Sequence, residues 1–257
     1  MGRCVRFVCN MLASTGAATI FFGKGLLGIV ESGRIGRRTV AQIYAIGCQS
    51  IFVIMLIGFF CGMVLGLQGY YTLVKFGSVG LLGSAISLTL IRELGPVLTA
   101  IMLTGRAGSS MTAEIGVMRI SDQIDALDVM DINSMAYLVS PRLLASLVAF
   151  PLLTALFDVI GILGGYVTGV LMLGINEGVY FYRIEASVLP IDVWGGFVKS
   201  LVFALLVTTV CCYQGYTTHL RRDSAGPAAV GNATTQAVVV SCVCILAADY
   251  VLTSFFL

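Results

Sequence analysis

The feature that most constrains this chain is a set of apolar stretches, each long enough to cross a lipid bilayer. A membrane-spanning helix needs about 20 mostly apolar residues in a row. Five stretches meet this requirement: 48–68, 79–104, 143–173, 191–213 and 236–257. The first carries no charged side chain, and none of the others carries more than two. The sequence therefore predicts an all-α integral membrane protein with five spans.

Composition agrees with this prediction and excludes other classes of protein. Of the 257 residues, 58% are hydrophobic and 11% are charged, against about 25% charged in ordinary soluble domains. A cytosolic globular enzyme, a disordered protein and a nucleic-acid-binding protein are excluded.

The chain has eight cysteines but one histidine. Most of the cysteines lie in or beside apolar runs, so we expect buried thiols and no metal site.

The N-terminal segment, residues 1–40, is ambiguous. Its apolar part is broken by Lys24 and by several glycines, and Arg3 and Arg6 precede it. We expect an amphipathic helix that lies in the membrane interface. A cleaved signal peptide and a sixth span are the alternatives. The whole chain, 1–257, is predicted to be one membrane domain.

The distribution of lysine and arginine predicts the orientation in the membrane. With the N-terminus inside, eleven of the 15 Lys and Arg residues are cytoplasmic and two lie within spans. The remaining two, Lys75 and Arg183, lie outside. Because basic residues concentrate in cytoplasmic loops, we expect a cytoplasmic N-terminus and an external C-terminus.

Charged residues inside the predicted spans are functional candidates, because an unpaired charge in hydrocarbon is costly. They are Arg92, Glu93, Asp158, Lys199 and Asp249. Helical rise places Arg92 and Asp158 about 20 Å deep, and Lys199 and Asp249 about 12 Å deep. These depths predict the ion pairs Arg92–Asp158 and Lys199–Asp249, with Glu93 left over or sharing Arg92. The set is either a polar site, for a head group or a proton relay, or a structural pairing of helices.

Pro96 lies four residues after Arg92. Because proline has no N–H, the carbonyl of Arg92 loses its helical partner. A helix whose backbone hydrogen bonding is interrupted beside two charges is typical of the substrate sites of transporters. A simple kink is the alternative.

Glycines recur every four residues in the first and third predicted spans: Gly58, Gly62, Gly66, Gly161, Gly165 and Gly169. Each set forms a bare helical face that lets another helix approach closely. We expect helix packing here, within the chain or across a dimer.

The 105–142 loop contains a second amphipathic pattern. After Ser121, a candidate N-cap, four aspartates alternate with apolar residues: Asp122, Asp125, Asp128 and Asp131. This spacing predicts a short helix between two spans. It is either a solvated surface helix or a docking helix for a cytoplasmic partner.

The chain lacks a GxxxxGK[ST] motif and a Ser/His/Asp set, so we expect no covalent chemistry and no ATPase site of its own.

Several runs of residues resemble one known family, the MlaE (YrbE-type) permeases. They cover 62–70, 92–97, 105–109, 112–119, 140–142 and 249–253. The runs occur in the family's order, and the resemblance covers roughly residues 40–257.

The resemblance implies the transmembrane subunit of a bacterial ABC transporter. Such a transporter moves phospholipids between the inner and outer membranes and maintains the lipid asymmetry of the outer membrane. It also implies an inner-membrane homodimer with an interfacial N-terminal helix and five spans. The expected partners are an ABC ATPase, an MCE-domain protein on the periplasmic side and, in some systems, a STAS-domain protein. ATP and Mg would be bound by the ATPase, and no cofactor by this chain.

The resemblance also assigns roles to residues. The lipid site would be at the end of the first span and in the following loop: Leu65, Gln68, Tyr70, Leu73 and Phe76. The helix that couples to the ATPase would include Glu114, Asp122, Asp125, Leu127 and Met130. The family's intramembrane charges correspond to Arg92, Glu93, Lys199 and Asp249, and we group Asp158 with them. A stand-alone, proton-coupled secondary transporter that uses these charges is the alternative function.

Overall fold

Apolar runs with few breaks form long helices in the computed structural model, which describes residues 16–28, 35–220 and 226–256. No β-strand occurs within these ranges. Helix α1 covers 16–28. The other helices, in chain order, are α2 (Ile35–Ile46), α3 (Ile51–Lys75), α4 (Leu82–Thr89), α5 (Gly95–Leu103), α6 (Ser109–Ile120), α7 (Gln123–Val129), α8 (Ser134–Tyr166), α9 (Glu177–Ser187), α10 (Pro190–Tyr216) and α11 (Pro227–Phe256).

Five helical segments in the described part of the chain are long and apolar enough to cross a membrane. They are Gly36–Lys75, Val79–Ile120, Ser134–Met172, Pro190–Tyr216 and Pro227–Phe255, called here the first to fifth spans. The prediction of an all-α membrane protein with five spans is confirmed. The second segment is longer than predicted, because two π-helical stretches, Leu90–Leu94 and Thr104–Gly108, join its α-helices without ending them.

The first and third spans pack against each other through their glycines. A Cβ atom on Gly62 would run into the main-chain oxygen of Gly161, and one on Gly164 into the main-chain oxygen of Phe59. The bare faces therefore let the two backbones touch, which increases van der Waals contact where no hydrophobic driving force acts between helices. The expectation that the glycine faces serve helix packing is confirmed, within a single chain.

Helix α1 packs against the third and fourth spans. Ser140 Oγ donates a hydrogen bond of 2.8 Å to the carbonyl of Gly25. The buried Phe21 ring lies 5.7 Å from Tyr213 and 5.6 Å from Tyr216. The interfacial position of this helix stays a prediction, and residues 1–15 and 29–34 lie outside the described part of the chain.

The short helix predicted after Ser121 is present as α7, and Ile124 anchors it in the core. The predicted N-cap is wrong. Ser121 Oγ donates to the carbonyl of Val117 at 2.8 Å and so completes the end of α6. Asp122 occupies the N-cap position with a positive φ of 55°, which gives the sharp turn between the two helices.

Helix α9, in the connection between the third and fourth spans, was not predicted. The side chain of Asn176 caps it by accepting a hydrogen bond from the amide of Val179 at 3.2 Å. Tyr180 is fully buried, and its hydroxyl donates to the carbonyl of Ile162 at 3.0 Å. This contact fastens α9 to the end of the third span.

Candidate functional site

Lys199 is the buried centre of a cluster of charges. The exposed fraction of its side chain is 3%. Its Nζ lies 2.7 Å from Glu93 Oε2 and 3.0 Å from Asp249 Oδ1. The second, fourth and fifth spans therefore meet at one ammonium group. The predicted Lys199–Asp249 pair is confirmed. The expectation for Glu93 is wrong, because Glu93 is neither unpaired nor paired with Arg92 but forms its ion pair with Lys199.

Thr253 completes the hydrogen bonding of this cluster. Its Oγ1 accepts from Lys199 Nζ at 2.7 Å and lies 3.1 and 3.2 Å from the two carboxylate oxygens of Glu93. A hydroxyl can donate and accept at the same time, so Thr253 connects the ammonium to the carboxylate. A buried ion pair needs such additional hydrogen bonds to offset the loss of hydration.

The break before Pro96 lies directly at this cluster. Residues Leu90–Leu94 form a π-helical stretch, a feature that often marks functional sites. The carbonyl of Arg92, which Pro96 leaves without its α-helical donor, accepts a hydrogen bond of 2.9 Å from Lys199 Nζ. Pro96 therefore interrupts the second span, and the side chain that pairs with the carboxylates stabilises the interruption.

Arg92 pairs with Asp192. Its Nε and Nη2 lie 2.8 and 2.7 Å from Asp192 Oδ1. The other oxygen of Asp192 accepts from the amide of Leu189 at 3.0 Å, which caps α10. The predicted Arg92–Asp158 pair is wrong. Helical side chains lean toward the N-terminus of their own helix, so the long side chain of Arg92 reaches toward the first turn of α10. The prediction compared only the depths of the backbone positions and did not take this reach of the side chain into account.

Asp158 lies apart from the other charges. Its Oδ1 is buried and has no hydrogen-bond partner among the described residues. The carboxylate lies against the backbone of Gly95, where an added Cβ would run into Oδ1. Of the five predicted intramembrane charges, Glu93, Lys199 and Asp249 form one cluster, Arg92 pairs with Asp192, and Asp158 lies apart.

All the paired charges except Asp249 line a cavity of about 590 Å³, within the usual range for small-molecule sites. Its lining residues come from the second, fourth and fifth spans: Leu88, Thr89, Arg92, Glu93, Ile191, Asp192, Gly195, Gly196, Lys199 and Thr253. We call this space the charged cavity. Arg92 is the most accessible cation in it, with 46% of its side chain exposed.

An apolar groove of about 290 Å³ lies between α3 and α4. Its lining residues are Leu65, Gln68, Gly69, Thr72, Leu73, Ala85, Ile86 and Thr89. Three of the five predicted lipid-site residues, Leu65, Gln68 and Leu73, therefore lie together. Tyr70 packs partly buried against the core and Phe76 is exposed at the end of α3, so these two do not line the groove. Thr89 lines both the groove and the charged cavity.

The residues predicted to couple to an ATPase do not all lie together. Asp122, Asp125, Leu127 and Met130 are on or beside α7. Glu114 lies in α6, where its carboxylate pairs with the buried Arg142 of α8 at 2.8 Å. Glu114 therefore fastens two spans to each other and is separate from the α7 surface.

Helix α7 is fixed to the bundle by charged side chains and presents apolar ones. Asp125 pairs with Arg119 at 2.6 Å, and Arg119 Nε also donates to His219 Nδ1 at 2.9 Å. Val129 and Met130 are 87% and 60% exposed. Exposed apolar side chains at the end of a fixed helix are suited to contact with a partner protein.

The unpredicted residues that bind the charges of this cavity are Asp192 and Thr253. Asp192 directly follows Pro190-Ile191 at the start of a span, a position where carboxylates cap helices and balance nearby charge. Thr253 lies four residues after Asp249, on the same face of the helix. Both signals were present in the sequence, but the partners across the bundle could not be assigned from it.

Comparison with known proteins identifies the family to which this arrangement belongs. A family profile described as Permease MlaE matches residues 39–255. The chain belongs to the MlaE permease family. The matched region includes every residue of the charged cavity and of the groove.

Individual relatives align along almost the whole chain. The Intermembrane phospholipid transport system permease protein MlaE of Haemophilus influenzae is 36% identical over 96% of this chain and 93% of its own length. A probable ABC transporter permease protein of Rickettsia bellii is 37% identical with the same coverage. Protein TRIGALACTOSYLDIACYLGLYCEROL 1 of Arabidopsis thaliana, a chloroplast protein, is 33% identical over 92% of this chain and 66% of its own length. Relatives of this chain thus occur in bacteria and in a plant chloroplast.

Proposed function

We propose that this MlaE-family chain is the permease subunit of an ATP-driven ABC transporter that moves phospholipids between the inner and outer membranes of a bacterium. The observation that carries the proposal is the junction of two unlike cavities at Thr89. One is lined by charged side chains, and the other has no charged residue and is lined by leucine, isoleucine, alanine and glycine together with one glutamine and two threonines. A molecule with a charged head group and apolar chains fits such a pair of neighbouring cavities.

Each cavity would hold a different part of the lipid. In the charged cavity, Arg92 offers a guanidinium group that is almost half exposed and suits a phosphate oxygen. In the groove, Leu65 and Leu73 offer apolar surface for an acyl chain, and Gln68 lies at its edge. The name of the Haemophilus relative supports phospholipid as the substrate, and movement in this system would maintain the lipid asymmetry of the outer membrane.

Energy for transport would come from a separate ABC ATPase that binds ATP and Mg. The name of the Rickettsia bellii relative supports this assignment, because it describes an ABC transporter permease. In this proposal α7 docks on the ATPase through Val129 and Met130, and Arg119 transmits its movement to the bundle through Asp125. The alternative, a stand-alone proton-coupled transporter, is not favoured by these relatives.

The proposed assembly contains two copies of the permease, an ABC ATPase, an MCE-domain protein on the periplasmic side and, in some systems, a STAS-domain protein. The chain would lie in the inner membrane with α7 on the cytoplasmic side and its C-terminus in the periplasm. These assignments follow the positive-inside distribution of Lys and Arg and the resemblance to the family.

Co-purification tests the proposal. The tagged chain is extracted in mild detergent from cells that express its neighbouring genes, and bound proteins and lipids are identified by mass spectrometry. We expect an ABC ATPase, an MCE-domain protein and phospholipid. Recovery of a homo-oligomer with no ATPase and no phospholipid would overturn the proposal.

A further inference from the structure

Asp158 is an intramembrane carboxylate for which the structure provides no counter-charge. It belongs to none of the five ion pairs found among the described residues. Its Oδ1 is enclosed and accepts no hydrogen bond from them. An unpaired carboxylate inside a membrane is costly in its charged form. A positive charge from outside the polypeptide would remove this cost.

A second unpaired polar group lies on the same face of α8. Thr154, one helical turn before Asp158, is 4% exposed, and its Oγ1 has no hydrogen-bond partner within the described ranges. Buried hydroxyl groups are nearly always hydrogen-bonded in folded proteins. Both groups therefore have unused hydrogen-bonding capacity, which a bound cation would use.

The helix break in the second span supplies a third oxygen atom. The amide of Gly95 donates to the carbonyl of Leu90, so it does not close an α-helical hydrogen bond onto Ile91. The next nitrogen, that of Pro96, carries no hydrogen. The carbonyl of Ile91 is therefore left without either of the two backbone donors that an α- or π-helix would provide.

Asp158, Thr154 and Ile91 line one cavity of about 200 Å³ between the second, third and fourth spans. A water molecule occupies about 30 Å³ of liquid, so the cavity has room for a hydrated ion. Carboxylate, hydroxyl and carbonyl oxygens bind small hard cations. One carboxylate balances one positive charge, whereas a divalent ion would leave an excess charge in the membrane. We propose that this cavity binds one small monovalent cation, a proton or Na⁺.

Neighbouring titratable groups do not supply this charge. On the second span, Arg92 is paired with Asp192 and Glu93 with Lys199. Asp192 and Lys199 lie on the fourth span, on either side of Gly196, which lines both the Asp158 cavity and the charged cavity. On α3, which packs along α8, the titratable residue closest to the level of Asp158 is Cys61, whose side chain is a thiol. The proposed site thus borders the charged cavity without sharing its charges, and it does not depend on the identity of the transported substrate.

Infrared difference spectroscopy of the purified complex tests the site. Spectra of the wild-type protein and of Asp158→Asn are recorded at neutral pH, in choline chloride and then in NaCl. We expect the wild type in choline to show the carbonyl band of a protonated carboxyl group that Asp158→Asn lacks. A band that persists in NaCl identifies the occupant as a proton. A band that NaCl abolishes and KCl does not identifies it as Na⁺.

A second variant guards against misfolding of Asp158→Asn. Thr154→Val removes the neighbouring hydroxyl and keeps the carboxylate, and we expect it to shift the frequency of the same band or to weaken the effect of NaCl. The proposal is overturned if the wild type has no protonated-carboxyl band in choline and if NaCl changes neither the spectrum nor the melting temperature. That outcome would leave phospholipid transport unaffected, since the two proposals use different readouts.

Discussion

Lys199 Nζ donates a hydrogen bond of 2.9 Å to the main-chain carbonyl of Arg92, 107 positions earlier in the chain. This carbonyl has no α-helical donor, because the residue four positions later is Pro96. The lysine therefore replaces a missing backbone hydrogen bond and at the same time forms ion pairs with Glu93 and Asp249. The break in the second span and the buried charge in the fourth span form a single structural unit.

Removing the lysine charge should destabilise the protein strongly. In Lys199→Met, Glu93 and Asp249 would remain as two carboxylates without their cation. Breaking a buried ion pair on one side costs about 3–5 kcal/mol, and we expect a loss of this size in chemical denaturation in detergent. Neutralising both carboxylates in the same chain, with Glu93→Gln and Asp249→Asn, should restore part of the loss. Wild-type stability of Lys199→Met alone would refute the central position of the lysine.

Replacing Pro96 should affect function more than stability. In Pro96→Ala the new amide N–H competes with Lys199 for the carbonyl of Arg92, which favours a continuous α-helix and closes the break. We expect transport to fall several-fold while the yield of folded protein is maintained. Pro141→Ala, also within a spanning helix but away from the cavity, serves as the matched control and should transport at the wild-type rate. Equal transport by both variants would show that the break has no role.

The sequence was sufficient for the spans and for part of the site. Apolar runs and their lengths determine the five helices, and matched depths correctly paired Lys199 with Asp249. The same rule failed for Arg92, because a long side chain reaches several ångströms along the bundle from its own backbone position. Helix α9 was missed because, at 11 residues, it is too short and too polar to give a spanning signal. Such pairings depend on tertiary geometry, which a single sequence does not contain.

The close contact between the first and third spans gives a steric prediction. Gly62→Ala would push a methyl group into the main-chain oxygen of Gly161. Overpacking of this kind costs about 1–3 kcal/mol, and backbone atoms cannot move aside as a side chain can. We expect a lower melting temperature and a lower folded yield. Gly231→Ala, in α11 with no atom near the added methyl group, should keep or slightly raise stability, by up to about 1 kcal/mol. Equal losses in the two variants would contradict this interpretation of the packing.

The exposed end of α7 gives a prediction about the partner protein. Val129→Asp places a charge on a side chain that is 87% exposed, so the permease itself should fold normally. We expect the ATPase to be lost from the purified complex. Val179→Asp makes the same change in α9, at the opposite end of the bundle, and should leave the ATPase bound. Retention of the ATPase by Val129→Asp would show that α7 is not the docking surface.

Phospholipid transfer in proteoliposomes tests the proposed function most directly. The complex of permease, ATPase and MCE-domain protein is reconstituted, and movement of a labelled phospholipid is followed with and without ATP. Leu73→Trp fills the groove between α3 and α4, whereas Leu246→Trp adds the same bulk at an exposed position of α11. We expect ATP-dependent transfer that Leu73→Trp lowers several-fold and Leu246→Trp does not. ATP hydrolysis without any movement of phospholipid, or equal transfer rates in the two variants, would contradict the proposal that this groove carries lipid.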